Sequence, residues 1–190
     1  HNNRNVYDLL MESGAKAHPC CEGLLWLPNA RGTPTQPATR GAFLGIRESH
    51  TYCEFIRAIM EGICYEIRLR LDRNEHLFGK TIERMVVVGG TSRSTFFTQL
   101  RADVTGRAVE ILRTSEATCL GAAMLAGIAA GTFSDYDSAV SNIQLIRQRF
   151  TPDERHFQQY DECYRHVYRR TASDLQNIDN AIANIFPPEG

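Results

Sequence analysis

The sequence lacks three features, and each absence excludes a class of protein. No apolar run approaches the roughly 18 residues that cross a membrane as a helix. The 21 basic residues are balanced by 22 acidic ones, so the basic excess of nucleic-acid-binding and membrane-surface proteins is missing. The polar start, "HNNRNVYDLL", does not resemble a signal peptide. We therefore expect neither a membrane nor a nucleic acid as a partner.

The six cysteines show no metal-binding pattern. No two of them form a CxxC motif, and no Cys/His cluster has the spacing of a zinc site. Several fall on the apolar faces of predicted helices. We therefore predict reduced and mostly buried thiols in a cytoplasmic protein, and we identify no metal ligand in the chain. The cysteines are Cys20, Cys21, Cys53, Cys64, Cys119 and Cys163.

The composition is that of a globular protein with a sizeable core. Apolar residues make up 43% of the 190 positions and charged residues 23%. This length suits one large domain. The first residue is not methionine, and the opening residues already have helical character. We therefore expect the chain to be a piece of a longer protein.

The first 71 residues predict two helices and two short strands. Asn5 to Ser13 has a helix cap and helical apolar spacing. Two apolar stretches, Gly23–Pro28 and Ala42–Ile46, flank the proline-rich loop Asn29–Gly41, which predicts strands on either side of a loop. The stretch from Thr51 to about Leu71 has a continuous apolar stripe. Its start, Thr51 followed by Glu54, is a capping box.

Alternating strands and helices follow. Met85–Val88 predicts a buried strand, and a helix from about Ser94 to Thr105 leads to a second strand, Ala108–Leu112. A further helix, from about Glu116 to Ala130, is expected to be capped by Thr114 or Ser115. This order predicts parallel strands with a right-handed crossover. A second capping box at Thr151 predicts a long helix that runs almost to the C-terminus.

A glycine turn joins the first of these strands to its helix. Gly89 and Gly90 lie at the carboxyl end of a parallel strand, where ligands collect in open α/β sheets. Thr91 and Ser94 add hydroxyl groups, and the helix start adds free amides. The turn is neither a P-loop nor a dinucleotide fingerprint. On these features alone it is either an anion- or ribose-binding site or an ordinary chain reversal.

Three stretches resemble the FGGY carbohydrate kinases, the family of glycerol, xylulose and ribulose kinases. "GAFLGIRESHTYCEFIRAIMEG" (Gly41–Gly62) is similar to the family's second signature. "VVGGTSRSTFFTQLRADVTGRAVEI" (Val87–Ile111) resembles its adenosine motif, and "SEATCLGAAMLAGIAAG" (Ser115–Gly131) resembles the segment that follows that motif. Together the three stretches cover about half of the chain, in the family's order and spacing.

The resemblance implies an α/β domain of the ribonuclease-H-like, actin-like ATPase type. It implies that residues 1–190 are most of the C-terminal, nucleotide-binding domain of an FGGY kinase, without its upstream strands and its N-terminal domain. The implied ligands are ATP with Mg²⁺, and a small sugar or polyol held mainly by the missing domain. The implied nucleotide contacts are Gly89, Gly90, Thr91 and Ser94. A homodimer is a further expectation, because the missing strands would leave a sheet edge or an apolar face exposed.

The chain also departs from the family pattern. Thr91 stands where many members have a third glycine, and Arg93 replaces the common lysine. The loop "GTPTQPATRG" is about three residues shorter than usual and lacks a Glu-Arg pair. The family's catalytic aspartate and its phosphate-binding hairpin belong to upstream motifs that these residues do not contain. We therefore assign no catalytic residue and expect the chain alone to be inactive.

The alternative to part of a sugar kinase is a nucleotide-binding actin-like module without sugar kinase activity. A third possibility is an interaction fragment with an empty cleft.

Other motif residues have structural interpretations. Glu61 is either a structural helix carboxylate or a support for the cleft. Asp103 is expected to face water. The small residues Gly121, Ala122, Ala123, Ala126 and Gly127 predict a helix face packed in the core.

Overall fold

The computed structural model describes residues 5–28, 38–114, 116–141 and 145–187. Within these residues no helix combines the length and the apolar character needed to span a membrane. The predicted Ser115 cap and residues 29–37 of the predicted loop lie outside the described part. The helices are α1 Val6–Gly14, α2 Tyr52–Phe78, α3 Thr95–Thr105, α4 Ala117–Ala129, α5 Tyr136–Ser141, α6 Glu154–Cys163, α7 Arg169–Asp174 and α8 Gln176–Ile185. The strands are β1 Leu25–Leu27, β2 Ala42–Leu44, β3 Arg84–Val87, β4 Ala108–Leu112 and β5 Ile146–Phe150.

The strands form two sheets. β1 and β2 pair antiparallel, with Trp26 opposite Phe43. The second sheet has the order β3-β4-β5, and β3 and β4 are parallel, as the alternation of strands and helices predicted. β5 pairs antiparallel with β4 and was not predicted from the sequence. Its central residues, "RQR", are exposed and polar, so the strand carries no apolar signal.

Helix α2 begins as predicted and is longer than predicted. The Thr51 and Glu54 side chains form the expected capping box. The helix continues past Leu71 to Phe78 and ends at Gly79, which adopts a left-handed conformation. The added turns carry few apolar residues but make tertiary ion pairs: Asp72 and Glu75 both bind Arg107, just before β4.

The main core lies where α2, α3 and the C-terminal helices meet. Tyr65 of α2 packs against Tyr160, Tyr164 and Tyr168, with ring centroids 5.0 to 6.3 Å apart. Burial of such large rings is a major source of stability, and tilted or offset ring pairs add to it. The tyrosine stripe of the C-terminal helices is therefore core packing. The buried residues of this core are Leu25, Leu27, Met60, Cys64, Tyr65, Phe97, Leu100, Val104, Tyr160, Tyr164 and Tyr168.

The C-terminal helical segment differs from its prediction at its start. Asp153, not Thr151, caps α6, because its carboxylate accepts a hydrogen bond from the His156 amide at 3.0 Å. The Thr151 carbonyl instead accepts a hydrogen bond from Gln99 Nε2 at 2.8 Å. Beyond α6 a π-helical turn, Tyr164–Tyr168, leads into α7 and α8.

Two apolar elements predicted to be buried are exposed over part or most of their surface. β3 lies at a sheet edge, where Val86 is 50% exposed and Val88, which follows it, is 45% exposed. Most of α4 is also exposed, including Ala122 and Ala126, and Met124 is its one buried residue. Apolar patterning marks a face that some element should cover, but among the described residues α4 packs mainly on α5, and most of its surface stays exposed. The prediction of core packing for α4 is wrong for this chain.

A buried ion pair connects three parts of the fold. Glu61 is only 2% exposed, and its Oε1 accepts hydrogen bonds from Arg57 Nε at 2.8 Å and from the Tyr160 hydroxyl at 2.9 Å. The same oxygen accepts the Cys20 amide at 3.1 Å, and Arg57 also donates to the Ala17 carbonyl at 2.7 Å. Burial raises the pKa of Glu61, while Arg57 and Tyr160 act in the opposite direction. This fits the structural interpretation of Glu61.

Asp103 corrects a prediction. It was expected to face water, but it is only 4% exposed. Its Oδ1 accepts hydrogen bonds from Gln99 Nε2 at 2.7 Å and from the Asp153 amide at 2.9 Å. A buried polar side chain needs such partners, because leaving one unpaired costs free energy. Asp103 therefore ties α3 to the start of α6.

We predict that Glu61→Gln lowers the free energy of unfolding by about 3–5 kcal/mol, because it leaves the Arg57 charge buried without its counterion. Glutamine keeps the shape of the side chain, so the loss of unfolding free energy comes from removal of the negative charge. Denaturant titration at neutral pH measures it. Glu48→Gln, at an exposed position, is the control and should change little. Equal stabilities of the Glu61 variant and the parent would contradict this account.

Candidate functional site

The glycine turn lies at the carboxyl edge of the parallel strands. Gly89 has φ 82° and ψ −171°, a conformation that residues other than glycine rarely adopt. Its carbonyl accepts hydrogen bonds from the Ser92 amide at 3.1 Å and the Ser92 hydroxyl at 2.7 Å. Gly90–Arg93 then forms a single 3₁₀ turn that leads into α3. Glycine is therefore required at position 89 by backbone geometry.

Ser94 caps α3. Its hydroxyl oxygen accepts a hydrogen bond from the Phe97 amide at 3.1 Å, and its carbonyl accepts one from the Thr98 hydroxyl at 2.8 Å. Ser94 therefore has a structural role that satisfies one of the free amides at the helix start. A contact between Ser94 and a ligand stays a prediction.

A cavity of about 450 Å³ opens beside this turn. Its volume falls in the range of about 300–1,000 Å³ that is usual for small-molecule sites. One wall comes from the turn and α3, and the other comes from the start of α1. A β-carbon built on Gly90 would meet no atom within 4 Å, so the backbone faces open space there. The lining residues are Asn5, Tyr7, Asp8, Met11, Gly90, Thr91, Arg93, Ser94 and Phe97.

The structure brings three of the four predicted site residues to this cavity. Gly90, Thr91 and Ser94 line it, and Thr91 is exposed. Gly89 does not line the cavity but sets the direction of the turn. Arg101, which is buried on the Phe97 ring, holds the turn through a 3.4 Å hydrogen bond to the Thr91 carbonyl.

The α1 wall was missed by the sequence analysis. Tyr7, Asp8 and Met11 contribute it, about 80 residues before the glycine turn. No local pattern connects two segments so far apart. In the structure Tyr7 is 70% exposed, although aromatic side chains are usually covered, so this wall offers an apolar surface that the sequence alone did not mark.

Opposite charges face each other across the cavity. Arg93 lies on the glycine-turn side and Asp8 on the α1 side, and both are exposed. A bound molecule with an anionic part and a hydroxyl-bearing part would find a partner for each. In the described part of the chain, no group of three or more His, Cys, Asp or Glu side chains is arranged to hold a metal ion.

A larger cavity, of about 670 Å³, lies at the opposite edge of this sheet. Ile82 and Arg107, which precede β3 and β4, line it, so it is remote from the glycine turn. Its charged groups are largely engaged with one another. Arg107 binds Glu75 at 2.6 Å, and the Tyr164 hydroxyl donates to Asp72 at 2.7 Å. The smaller cavity is therefore the better candidate site.

Comparison with known proteins supports the sequence resemblance. Residues 2–130 match the family model described as the FGGY family of carbohydrate kinases, C-terminal domain. The chain is 31% identical to a xylulose kinase of Staphylococcus epidermidis over 185 residues, which cover 92% of this chain and 37% of that protein. It is 33% identical to a glycerol kinase of Pasteurella multocida, over 71% of this chain and 27% of that protein.

The fold also matches solved structures. The crystal structure of a xylulose kinase from Rhodospirillum rubrum superposes with a TM-score of 0.78 at 26% identity, covering 92% of this chain and 35% of that one. The chain therefore spans well under half the length of the relatives that it matches. The glycine turn and both walls of the cavity fall inside the matched residues. The chain belongs to the FGGY family of carbohydrate kinases and has the fold of that family's C-terminal domain.

Proposed function

We propose that the whole protein is an ATP-dependent kinase of a ketose or polyol and that this chain supplies the nucleotide-binding part of its cleft. The observation that carries the proposal is the cavity between the glycine turn and α1, at the carboxyl edge of the parallel strands. The relatives that support it are named as xylulose and glycerol kinases.

Different residues of the cavity suit the phosphates, the ribose and the base of ATP. The Gly90 backbone admits the close approach of a phosphate or ribose, since no side chain occupies that space. Arg93 offers a positive charge to the phosphates. Across the cavity, Tyr7 and Met11 offer an apolar surface to the base, and Asp8 offers a hydrogen-bond acceptor to ribose hydroxyls. Gly89, Thr91 and Ser94 keep the proposed roles of positioning the turn and contacting the nucleotide.

Phosphate transfer needs groups that this site does not provide. A sugar hydroxyl attacks the γ-phosphorus more readily when a carboxylate takes its proton, and Mg²⁺ neutralises the phosphate charge. Asp8 is the one carboxylate that lines the cavity in the described residues. We propose that the catalytic base and the sugar-binding residues belong to a part of the protein outside these 190 residues. The phosphates of ATP would then be the main ligands of Mg²⁺.

The exposed apolar surface supports this division of the protein. The free edge of β3 and the exposed side of α4 are surfaces that a further strand and a further domain would cover. A second copy of the chain is the alternative cover, which would give a homodimer. The six free thiols support a cytoplasmic location, because disulfides are rare there.

We predict that Gly90→Val abolishes ATP binding and leaves the fold intact. The added methyl groups would occupy space now open to the ligand, while no neighbouring atom lies within 4 Å to clash. Calorimetric titration with Mg-ATP measures binding, and circular dichroism measures folding. A loss of less than about tenfold in affinity, or about 1.4 kcal/mol, would not count as abolished binding.

The matched control is Ala129→Val, which adds branching at an exposed position of α4 that does not line the cavity. It should bind ATP like the parent. If Gly90→Val binds as tightly as the parent, the nucleotide site lies elsewhere. If the parent chain shows no thermal stabilisation by Mg-ATP, the interpretation as an interaction fragment is favoured instead.

We predict that the isolated 190-residue chain transfers no phosphate to any sugar or polyol, at any substrate concentration. The reason is the missing base. A panel of ketoses and polyols, with ADP formation as the readout, measures this, and the Gly90→Val variant controls for contaminating kinases. If the parent chain forms ADP in a sugar-dependent way and the Gly90→Val variant does not, a catalytic base is present in the chain. A full-length protein that binds ATP but phosphorylates no member of the panel would favour a nucleotide-binding module.

We predict that the β3 amides that face the free edge exchange quickly with solvent in the monomeric chain. β4, which is paired on both sides, is the internal control and should stay protected. Hydrogen exchange measured at low protein concentration, with the molecular mass checked by light scattering, makes the comparison. Full protection of β3 in a demonstrated monomer would mean that its sheet edge is already covered.

A further inference from the structure

An unusual backbone turn connects α1 with β1. Cys20, Cys21 and Glu22 have φ angles of 62°, 45° and 51°, so three consecutive residues other than glycine adopt left-handed conformations. Each such residue is disfavoured relative to the right-handed form. The turn is held by Glu61, whose Oε1 accepts the Cys20 amide and whose Oε2 lies 3.7 Å from Cys21 Sγ. The buried ion pair thus stabilises a strained segment.

The turn directs the Cys20 thiol toward α6. Cys20 Sγ lies 3.6 Å from the Gln159 carbonyl and 3.9 Å from the Tyr65 hydroxyl. Cys163 lies four residues beyond Gln159, one turn further along α6. Both cysteines line a small void of about 40 Å³ together with Tyr65 and Val167. Two thiols that are 143 positions apart in the sequence are therefore neighbours in the fold.

The two thiols differ in acidity. The neighbouring Cys20 thiol lowers the pKa of Cys163, because it stabilises the thiolate there. The same interaction, together with burial, raises the pKa of Cys20. A thiolate is the attacking form in thiol chemistry, so Cys163 is the natural nucleophile of the pair and Cys20 the resolving thiol. Both side chains are half-buried, which leaves them within reach of a small reagent.

The other cysteines lack this arrangement. Cys21 and Cys64 are buried, and burial raises the pKa of both. Cys53 is half-buried and Cys119 is exposed. We propose that Cys20 and Cys163 form a thiol–disulfide site, which a small-molecule disulfide oxidises reversibly and which links the left-handed turn to α6.

The proposed oxidation is balanced as two exchange steps. The Cys163 thiolate attacks one sulfur of the small-molecule disulfide, forms a mixed disulfide and expels one thiolate. Cys20 then loses its proton and attacks the Cys163 sulfur, which forms the intramolecular disulfide and expels the second thiolate. The protein loses two electrons and two protons, and the reagent becomes two thiols.

The test exposes the folded 190-residue chain to oxidised glutathione and counts the alkylatable thiols by mass spectrometry. We expect the count to fall from six to four, with a loss of two hydrogens, and peptide mapping to join Cys20 to Cys163. Reduced glutathione or a stronger thiol should restore six. Cys53→Ser and Cys119→Ser are matched controls and should still lose two thiols.

Cys163→Ser should form no intramolecular disulfide, and Cys20→Ser should stop at the mixed disulfide on Cys163. If circular dichroism shows that either variant does not fold, the peptide map of the oxidised parent still shows whether Cys20 is linked to Cys163. Six free thiols after oxidation, or a link to any other cysteine, would overturn the proposal. The readout does not involve nucleotide or sugar, so it is independent of the proposed kinase function.

Discussion

The Arg57–Glu61 ion pair is the interaction on which the arrangement of this chain most depends. The pair lies on α2 and joins it to two segments that are distant in the sequence. Glu61 accepts hydrogen bonds from the Cys20 amide, after α1, and from the Tyr160 hydroxyl of α6, and Arg57 donates one to the Ala17 carbonyl. A buried pair gains little net stability over an apolar pair, but it penalises any packing that leaves a charge alone. Its main effect is therefore to specify one relative position of these three elements.

The sequence predicted the elements better than their surroundings. Helix α2 and the βαβ unit from β3 to β4 were predicted because capping residues and apolar spacing are local signals. β5 was missed because its central residues are polar, and the cap of α6 was misplaced by two residues because two acceptable caps, Thr151 and Asp153, compete. The exposure of α4 was missed because an apolar pattern shows that a helix face needs a covering element. It does not show whether this chain contains that element.

The candidate site was predicted on one side only. The glycine turn could be found because glycine pairs after a parallel strand have a known geometric use, and the family motif extends through it. The α1 wall could not be found, since its position depends on how α1 packs against α2. That packing brings the two helices close at Gly14, where a β-carbon would lie 3.2 Å from Met60 Sδ. Contacts of this kind are visible only in three dimensions.

The two-sided cavity has a thermodynamic consequence for helix α1. This helix is anchored mainly to α2, and Val6, Tyr7 and Leu9 are largely exposed, so its docking rests on limited burial. A molecule that touches both walls would join α1 to α3. Ligand binding and the docking of α1 are then coupled, and the coupling is reciprocal. The ligand stabilises docked α1 by the same free energy by which docked α1 stabilises the bound ligand. The apparent affinity of this site would then be a measure of how completely α1 is ordered, and substitutions between α1 and α2 would change it without touching the ligand.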